Sequence, residues 1–330
     1  MKPNPFPRRP FFKGFFYALL FFALFPPVPQ AATDVPALLT VDTRWDADHG
    51  PYLIRGRVLV PRGATLRLGP GVRLIFEARA QLWVQGRLFA AGSTVAPVIF
   101  DMRKTGTQGG LFVLGGGASF VQTKLAGGWF LVRDGGLRLD SSEVFGGTGV
   151  YLQGRTSALL TGNKIMGNSV GITTAGRLVR LSGFFNRIAK NSYGLYLKEW
   201  GSLDLRDNSL QDNAWEIVNL TAQPAPLAGN YWGGLGSAEV TPKCRGKGIL
   251  EPLKGMEEVY LDYYKAHYPK MSEEQAKALA ANWKRTNKER SADKAGTQAP
   301  AGPAAAEAST ETDPSKAADL NSLDLNGIPL

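Results

Sequence analysis

The sequence predicts an all-β fold, a right-handed single-stranded parallel β-helix ending in a small helical segment and a disordered tail. Three observations predict it. Three stretches align without gaps: Asn163-Lys-Ile-Met-Gly-Asn168, Asn186-Arg-Ile-Ala-Lys-Asn191 and Asn208-Ser-Leu-Gln-Asp-Asn213, with both Asn columns recurring after 23 and then 22 residues. Each is followed two residues later by a short apolar strand, Gly171-Ile-Thr-Thr, Gly194-Leu-Tyr-Leu or Glu216-Ile-Val-Asn. Upstream, Gly149-Val-Tyr-Leu and Gly128-Trp-Phe-Leu continue the series at spacings of 22 and 21. A period this short rules out paired-helix repeats, and the framework of leucine-rich repeats is missing. Such short strands cannot bury themselves singly. Stacked coil upon coil, they form parallel sheets around one shared core. Asn suits the corners because it tolerates the left-handed conformation and because stacked amides, about 4.8 Å apart, can hydrogen-bond in a ladder.

Taken in chain order, residues 1–32 read as an export signal. Lys2, Arg8, Arg9 and Lys13 precede an apolar run from Gly14 to Phe25, and a Pro-rich stretch leads to Ala31 and Ala32. The run has the length of a signal core and is short for a membrane span. Pro7-Arg-Arg-Pro-Phe-Phe-Lys13 resembles a twin-arginine export motif but lacks its leading Ser, so the general secretory route is favoured. Residues 33–57, with Trp45 and Tyr52, are expected to cap the open N-terminal end, because an uncovered sheet edge invites association. The β-helix with its terminal cap is assigned to 58–250. It opens where Val58, Val60, Leu66, Leu68, Val72, Leu74 and Phe76 alternate with Arg57, Arg67 and Arg73. Roughly eight coils fit between Val58 and Asn219, a rod near 40 Å long. Gly229-Asn-Tyr-Trp-Gly-Gly234 reads as the closing cap, with Tyr231 and Trp232 as plugs. Helices are expected at Gly255–His267 and Ser272–Arg290, within a helical segment at 251–290; Ser272 and Gln275 stand at capping-box spacing. From 291 to 330 the chain is rich in Ala, Pro, Thr and Ser and should be disordered.

The charge is uneven. Residues 33–250 carry 24 Lys and Arg against 15 Asp and Glu, whereas residues 251–330 carry 10 against 13. A basic body suits acidic partners. Cys244 is the single cysteine, which excludes an intramolecular disulfide. His49 and His267 lie at opposite ends of the chain, and the five Met are scattered, so no metal cage is visible.

The repeat N-x-I-x-x-N-x-x-G-I/L-x-L from Asn163 to Leu220 resembles the carbohydrate-binding and sugar-hydrolysis class of β-helix repeats. That class shares the pectate-lyase-like solenoid and includes the periplasmic NosD-like accessory proteins. Gly229-Asn-Tyr-Trp-Gly233 is similar to its closing motif, and Trp45–Phe76 resembles the opening coils of secreted bacterial β-helix proteins. The resemblance implies a periplasmic or extracellular protein. It implies three functions: glycan binding or envelope scaffolding without catalysis, a lyase, epimerase or hydrolase of uronate-type glycans, or a metal-site accessory protein.

Catalytic motifs are not apparent. Asp204, Asp207 and Asp212 read as turn and surface acids, not as the carboxylate pair a glycosidase needs. Arg187 and Lys190 lack the acid cluster that pectate lyases use for Ca²⁺, and Asp46-Ala-Asp48-His49 matches the epimerase motif only loosely. Gly115-Gly116-Gly117 reads as a coil corner and not as a phosphate loop, because no Lys-Ser/Thr follows. What remains is a surface. Aligning coils on the Gly before each strand places Phe130, Tyr151, Thr173, Tyr196 and Val218 in one outward column, with Gln153 and Lys198 beside it. Phe130, Tyr151, Gln153, Tyr196 and Lys198 are therefore the candidate ligand residues. Asn163, Asn168, Asn186, Asn191, Asn208 and Asn213 are the structural ladder. The expected partner is a glycan, possibly acidic, or an envelope protein, in preference to nucleic acid. No cofactor or metal is expected, and membrane contact is expected only through an uncleaved signal.

Overall fold

The computed structural model describes residues 32–280 apart from Pro252. The segment expected to be an export signal, save Ala32, the part of the expected second helix beyond residue 280 and the segment 291–330 expected to be disordered lie outside the described residues. Three parallel sheets of nine, nine and eight strands wrap one core. The chain passes the third sheet, the first and the second in turn, and repeats this for about 10 turns of a β-solenoid. At about 4.8 Å per turn the rod is near 48 Å long. Phe76, Phe100, Phe120 and Phe130 run down the interior with ring centroids 5.5–6.4 Å apart. The core is apolar throughout because each strand alternates an inward Val, Ile, Leu or Phe with an outward residue.

The rod is longer than expected because both caps are coils. Thr33–Asp34 pairs with Tyr52–Ile54 on the first sheet, and Thr43–Trp45 pairs with Thr65–Leu68 on the third. Residues 33–57 are thus the opening coil as well as its cover, and Trp45 stacks on Tyr52 at 4.5 Å. At the other end, Tyr231 bridges Ser209 and Cys244–Arg245 pairs with Trp215–Asn219, which adds a turn past Asn219. Trp232 is buried in the core as expected of a plug, whereas Tyr231 is only half-buried. A helix over Met256–His267 lies against the corner between the third and first sheets, where Tyr263 meets Phe185 edge-on at 5.5 Å. A further helix occupies 273–280, and Ser272 caps it reciprocally: its N–H donates to Gln275 Oε1 at 3.1 Å, and its Oγ accepts from Gln275 N–H at 3.2 Å.

The Asn ladders form as the spacing predicts and extend further. At the corner between the third and first sheets, Asn163, Asn186 and Asn208 each donate Nδ2–H to the next Asn's Oδ1, at 2.9–3.0 Å, and the series ends on Asn230. At the corner between the first and second sheets, Asn168 and Asn191 do the same to Asn191 and Asn213 at 3.2 and 3.0 Å. Asn213 then donates to Glu216 Oε2 at 2.6 Å. Each Oδ1 also accepts the preceding Asn's backbone N–H, and each Nδ2 also reaches a carbonyl of the coil before, such as Leu160 O at 2.8 Å from Asn186. One part of the expectation is corrected. The left-handed residue is not Asn but its predecessor: Gly162, Phe185, Asp207 and Gly229 in one column, Gly167, Lys190 and Asp212 in the other. The left-handed residue turns the chain and aims the following Asn inward, where its amide replaces the lost ladder partners. Asn186→Ala strands the Asn163 donors and the Leu160 carbonyl in a buried corner, so it should cost about 2–4 kcal/mol. Urea unfolding against the unsubstituted protein measures this.

Candidate functional site

On the second sheet the outward column follows from the pairing register. It runs Leu59, Trp83, Phe112, Leu131, Tyr151, Thr173, Tyr196, Val218, Arg245. Tyr151, Thr173, Tyr196 and Val218 stand where the sequence placed them. Phe130 does not. It pairs with Val150 and faces the core at 1% exposure, edge-on to Phe120. The reason is local. Gly127 and Gly128 both adopt positive φ and belong to the turn, so Trp129 fills the strand position that Gly149 fills one coil later. Leu131 therefore takes the outward place.

Facing outward does not make these residues exposed. Trp83, Phe112, Leu114, Trp129, Leu131 and Tyr151 form a second apolar cluster outside the sheet, with Leu59 and Ala175 against it. Leu131 is 1% exposed and Tyr151 is 7% exposed. Trp129 lies 6.0 Å from Tyr151, ring centre to ring centre, and donates its indole N–H to Thr107 O at 2.8 Å. At the N-terminal end, Arg57 covers Trp83 at 4.1 Å.

Four of the five candidate residues do come together. Lys198 Nζ lies 5.9 Å from the ring of Tyr196 on its own strand and 6.0 Å from the ring of Tyr151 two coils away. Tyr196 is half-buried and edge-on to Tyr193 at 5.5 Å. Gln153 sits two residues beyond Tyr151 on the same strand, and its Oε1 is buried with no hydrogen-bond partner among the described residues. Burial, with Tyr196 nearby, pushes the Tyr151 hydroxyl above its ordinary pKa, so the ring is neutral at physiological pH. Tyr151 is thus the support, Tyr196 the accessible ring, and Lys198 supplies a cation, while the Gln153 oxygen is enclosed beneath the surface.

The acids read from the sequence are dispersed. Asp204 pairs with Arg206 at 3.2 Å on the third sheet, while Asp207 is held by Lys254 at a corner. Asp46 pairs with Arg44 at 3.0 Å in the opening coil. Among the described residues, no group of three or more His, Cys, Asp or Glu side chains could hold a metal ion, and no helix is long and apolar enough to cross a membrane. No family model matches the sequence, and comparison with curated proteins and with solved structures gives no match.

The two tyrosines should separate in stability. Tyr151→Ala opens the outer cluster and should cost about 2–4 kcal/mol, less than the 3–5 kcal/mol or so expected for the enclosed Phe130→Ala. Tyr196→Ala should cost under about 1 kcal/mol. Thermal melts of the three variants test the ranking, and equal losses for Tyr196 and Phe130 would overturn the register.

Proposed function

We propose that this chain is an exported, non-catalytic β-helix protein that binds polysaccharide on the outer face of the second sheet. The observation that carries the reading is the Lys198 ammonium set 6.0 Å from the Tyr151 ring and 5.9 Å from the partly accessible Tyr196 ring. An accessible aromatic ring suits the apolar face of a pyranose, because a ring gives large contact area at little conformational cost. Lys198 adds a preference for anionic sugars, by charge and not by planar pairing. Export rests on the basic and apolar pattern of residues 1–25. Kinship to the NosD-like class rests on the repeat residues and the closing Gly-Asn-Tyr-Trp-Gly. The dispersal of the carboxylates favours binding over glycosyl hydrolysis, which needs two of them flanking one bond.

Affinity electrophoresis of the purified chain through gels containing neutral or anionic polysaccharides tests this. At least one polymer should retard the protein. Tyr196→Ala and Lys198→Ala should each weaken that retardation about tenfold, as for an interface anchor, while lowering the melting temperature by no more than about 2–4 °C. Migration indifferent to every polymer, or variants retarded as strongly as the parent, would refute the reading.

A further inference from the structure

A second surface, on a different face of the rod, has the form of a binding site. Where the chain turns from the second sheet to the third, an open groove of about 830 Å³ is lined by Arg62, Arg87 and Arg138 with Phe89 and a run of glycines. The volume is that of a ligand cleft. The register explains its shape. One outward column of the third sheet reads Thr65, Arg87, Gly117, Gly136, Ser157, Arg180. Between Arg87 and Arg180, four coil steps or roughly 19 Å apart, the floor carries no side chain larger than Ser. Arg138 rises from the neighbouring column, and the Arg62 guanidinium stands about 4.0 Å from where a Cβ on Gly115 would lie.

The glycines of this floor are of two kinds. At Gly116 and Gly135, a Cβ would strike the backbone of the preceding coil at 2.4 and 2.3 Å, so the stacked corner requires them. At Gly117 and Gly136, a Cβ would meet nothing within 4 Å, and neither has the positive φ that favours glycine. Packing explains the first pair and leaves the second unexplained. A bare floor there keeps the trough open. Arg62, Arg87 and Arg180 make no ion pair among the described residues, while Arg138 reaches Asp140 only at 3.5 Å across an exposed pair. Every cation lining the groove is Arg, whose planar fork grips carboxylate, sulfate or phosphate oxygens with two donors.

We infer that this trough binds a linear anionic glycan, laid along the rod with its oxyanions on Arg62, Arg87 and Arg138 and its sugar backbone over Gly117 and Gly136. Single-stranded nucleic acid fits less well. It needs stacking faces, and the one aromatic ring in the groove, Phe89, is already covered by Arg67 at 4.8 Å. The trough shares no residue with the tyrosine face, so the two proposals stand or fall separately.

The test uses the full chain and four probes: polygalacturonate, dextran sulfate, neutral dextran and single-stranded DNA. Titration at low and physiological salt should show binding of one or both anionic glycans and no binding of neutral dextran to the trough. R62Q/R87Q/R138Q should weaken that binding at least about tenfold, since charge-assisted pairs are lost. The charge-matched control K104Q/K190Q/K247Q, on exposed residues elsewhere, should weaken it far less. The decisive variant is G117L/G136L, which keeps every charge, fits the open space and should melt like the parent, yet should abolish binding by filling the floor. Equal losses in the two charge variants would reduce the effect to general attraction and overturn the proposal. So would unchanged binding by G117L/G136L, or DNA binding as tight as either glycan. A Tyr196→Ala protein that still binds the anionic glycan would leave the trough intact while counting against the tyrosine face.

Discussion

Everything in this structure depends on coil-to-coil registration, and the amide ladders are the interaction that fixes it. A strand of three to five residues has no stability of its own, and a corner breaks the backbone pairing on either side of it. The Asn side chain repairs that break. Its Oδ1 accepts two donors from the coil before, and its Nδ2 gives two in return, one to the next Asn and one to a carbonyl. A slip of one residue would turn each amide outward and each core Leu with it. The ladder also has direction, since every step donates toward the C-terminus. The two series end differently: Asn230 turns its Nδ2–H groups to the Leu205 and Leu227 carbonyls at 2.7 Å each, whereas Glu216 takes both the N–H and the Nδ2–H of Asn213. Its carboxyl is buried, and burial pushes its pKa up despite those two donors and Lys243 at 4.0 Å.

Registration also creates the surfaces. Once inward positions are fixed, outward residues from successive coils must lie in columns about 4.8 Å apart, whatever their chemistry. On the second sheet the column from Trp83 to Tyr151 is aromatic and aliphatic, so it packs on itself into a cluster beyond the sheet, while Tyr196 and Lys198 further along stay partly accessible. On the third sheet one column carries nothing larger than Ser between Arg87 and Arg180, which leaves a trough. On the first sheet the outward column is ionic: Glu143 stands between Lys124 at 3.3 Å and Lys164 at 3.2 Å on the coils either side. These two lysines outweigh burial and hold the Glu143 carboxyl below its usual range. One scaffold thus carries three distinct faces without any change of backbone.

The regular coils were legible in the sequence because their period scarcely varies. Between Tyr151 and Val218 the outward column advances by 22, 23 and 22 residues, and there spacing finds the Asn columns and the outward direction of both tyrosines, though not that the outer cluster buries Tyr151. Earlier coils advance unevenly, by 29 residues from Trp83 to Phe112 and 19 from Phe112 to Leu131. An inserted turn around 102–109 and the paired glycines at 127 and 128 absorb the difference, so spacing alone could not find Trp83, Phe112 and Leu131 and misplaced Phe130 by one. Asn230 was within reach, being 22 residues past Asn208, but its cap-like surroundings hid its place in the ladder. The trough was not legible at all. Gly115-Gly116-Gly117 looks uniform as sequence, and only coordinates separate a glycine the corner requires from one it does not.

The most direct test of the account is hydroxyl-radical footprinting of the purified chain, read residue by mass spectrometry, with and without the polysaccharide that retards it most. The register predicts oxidation of Tyr196 in the free protein, protection of Tyr196 when the polymer is present, and no oxidation of Phe130 in either state. Oxidation of Phe130 as fast as Tyr196 would contradict the coil register, and a Tyr196 that the bound polymer leaves unprotected would contradict the tyrosine face as the binding surface.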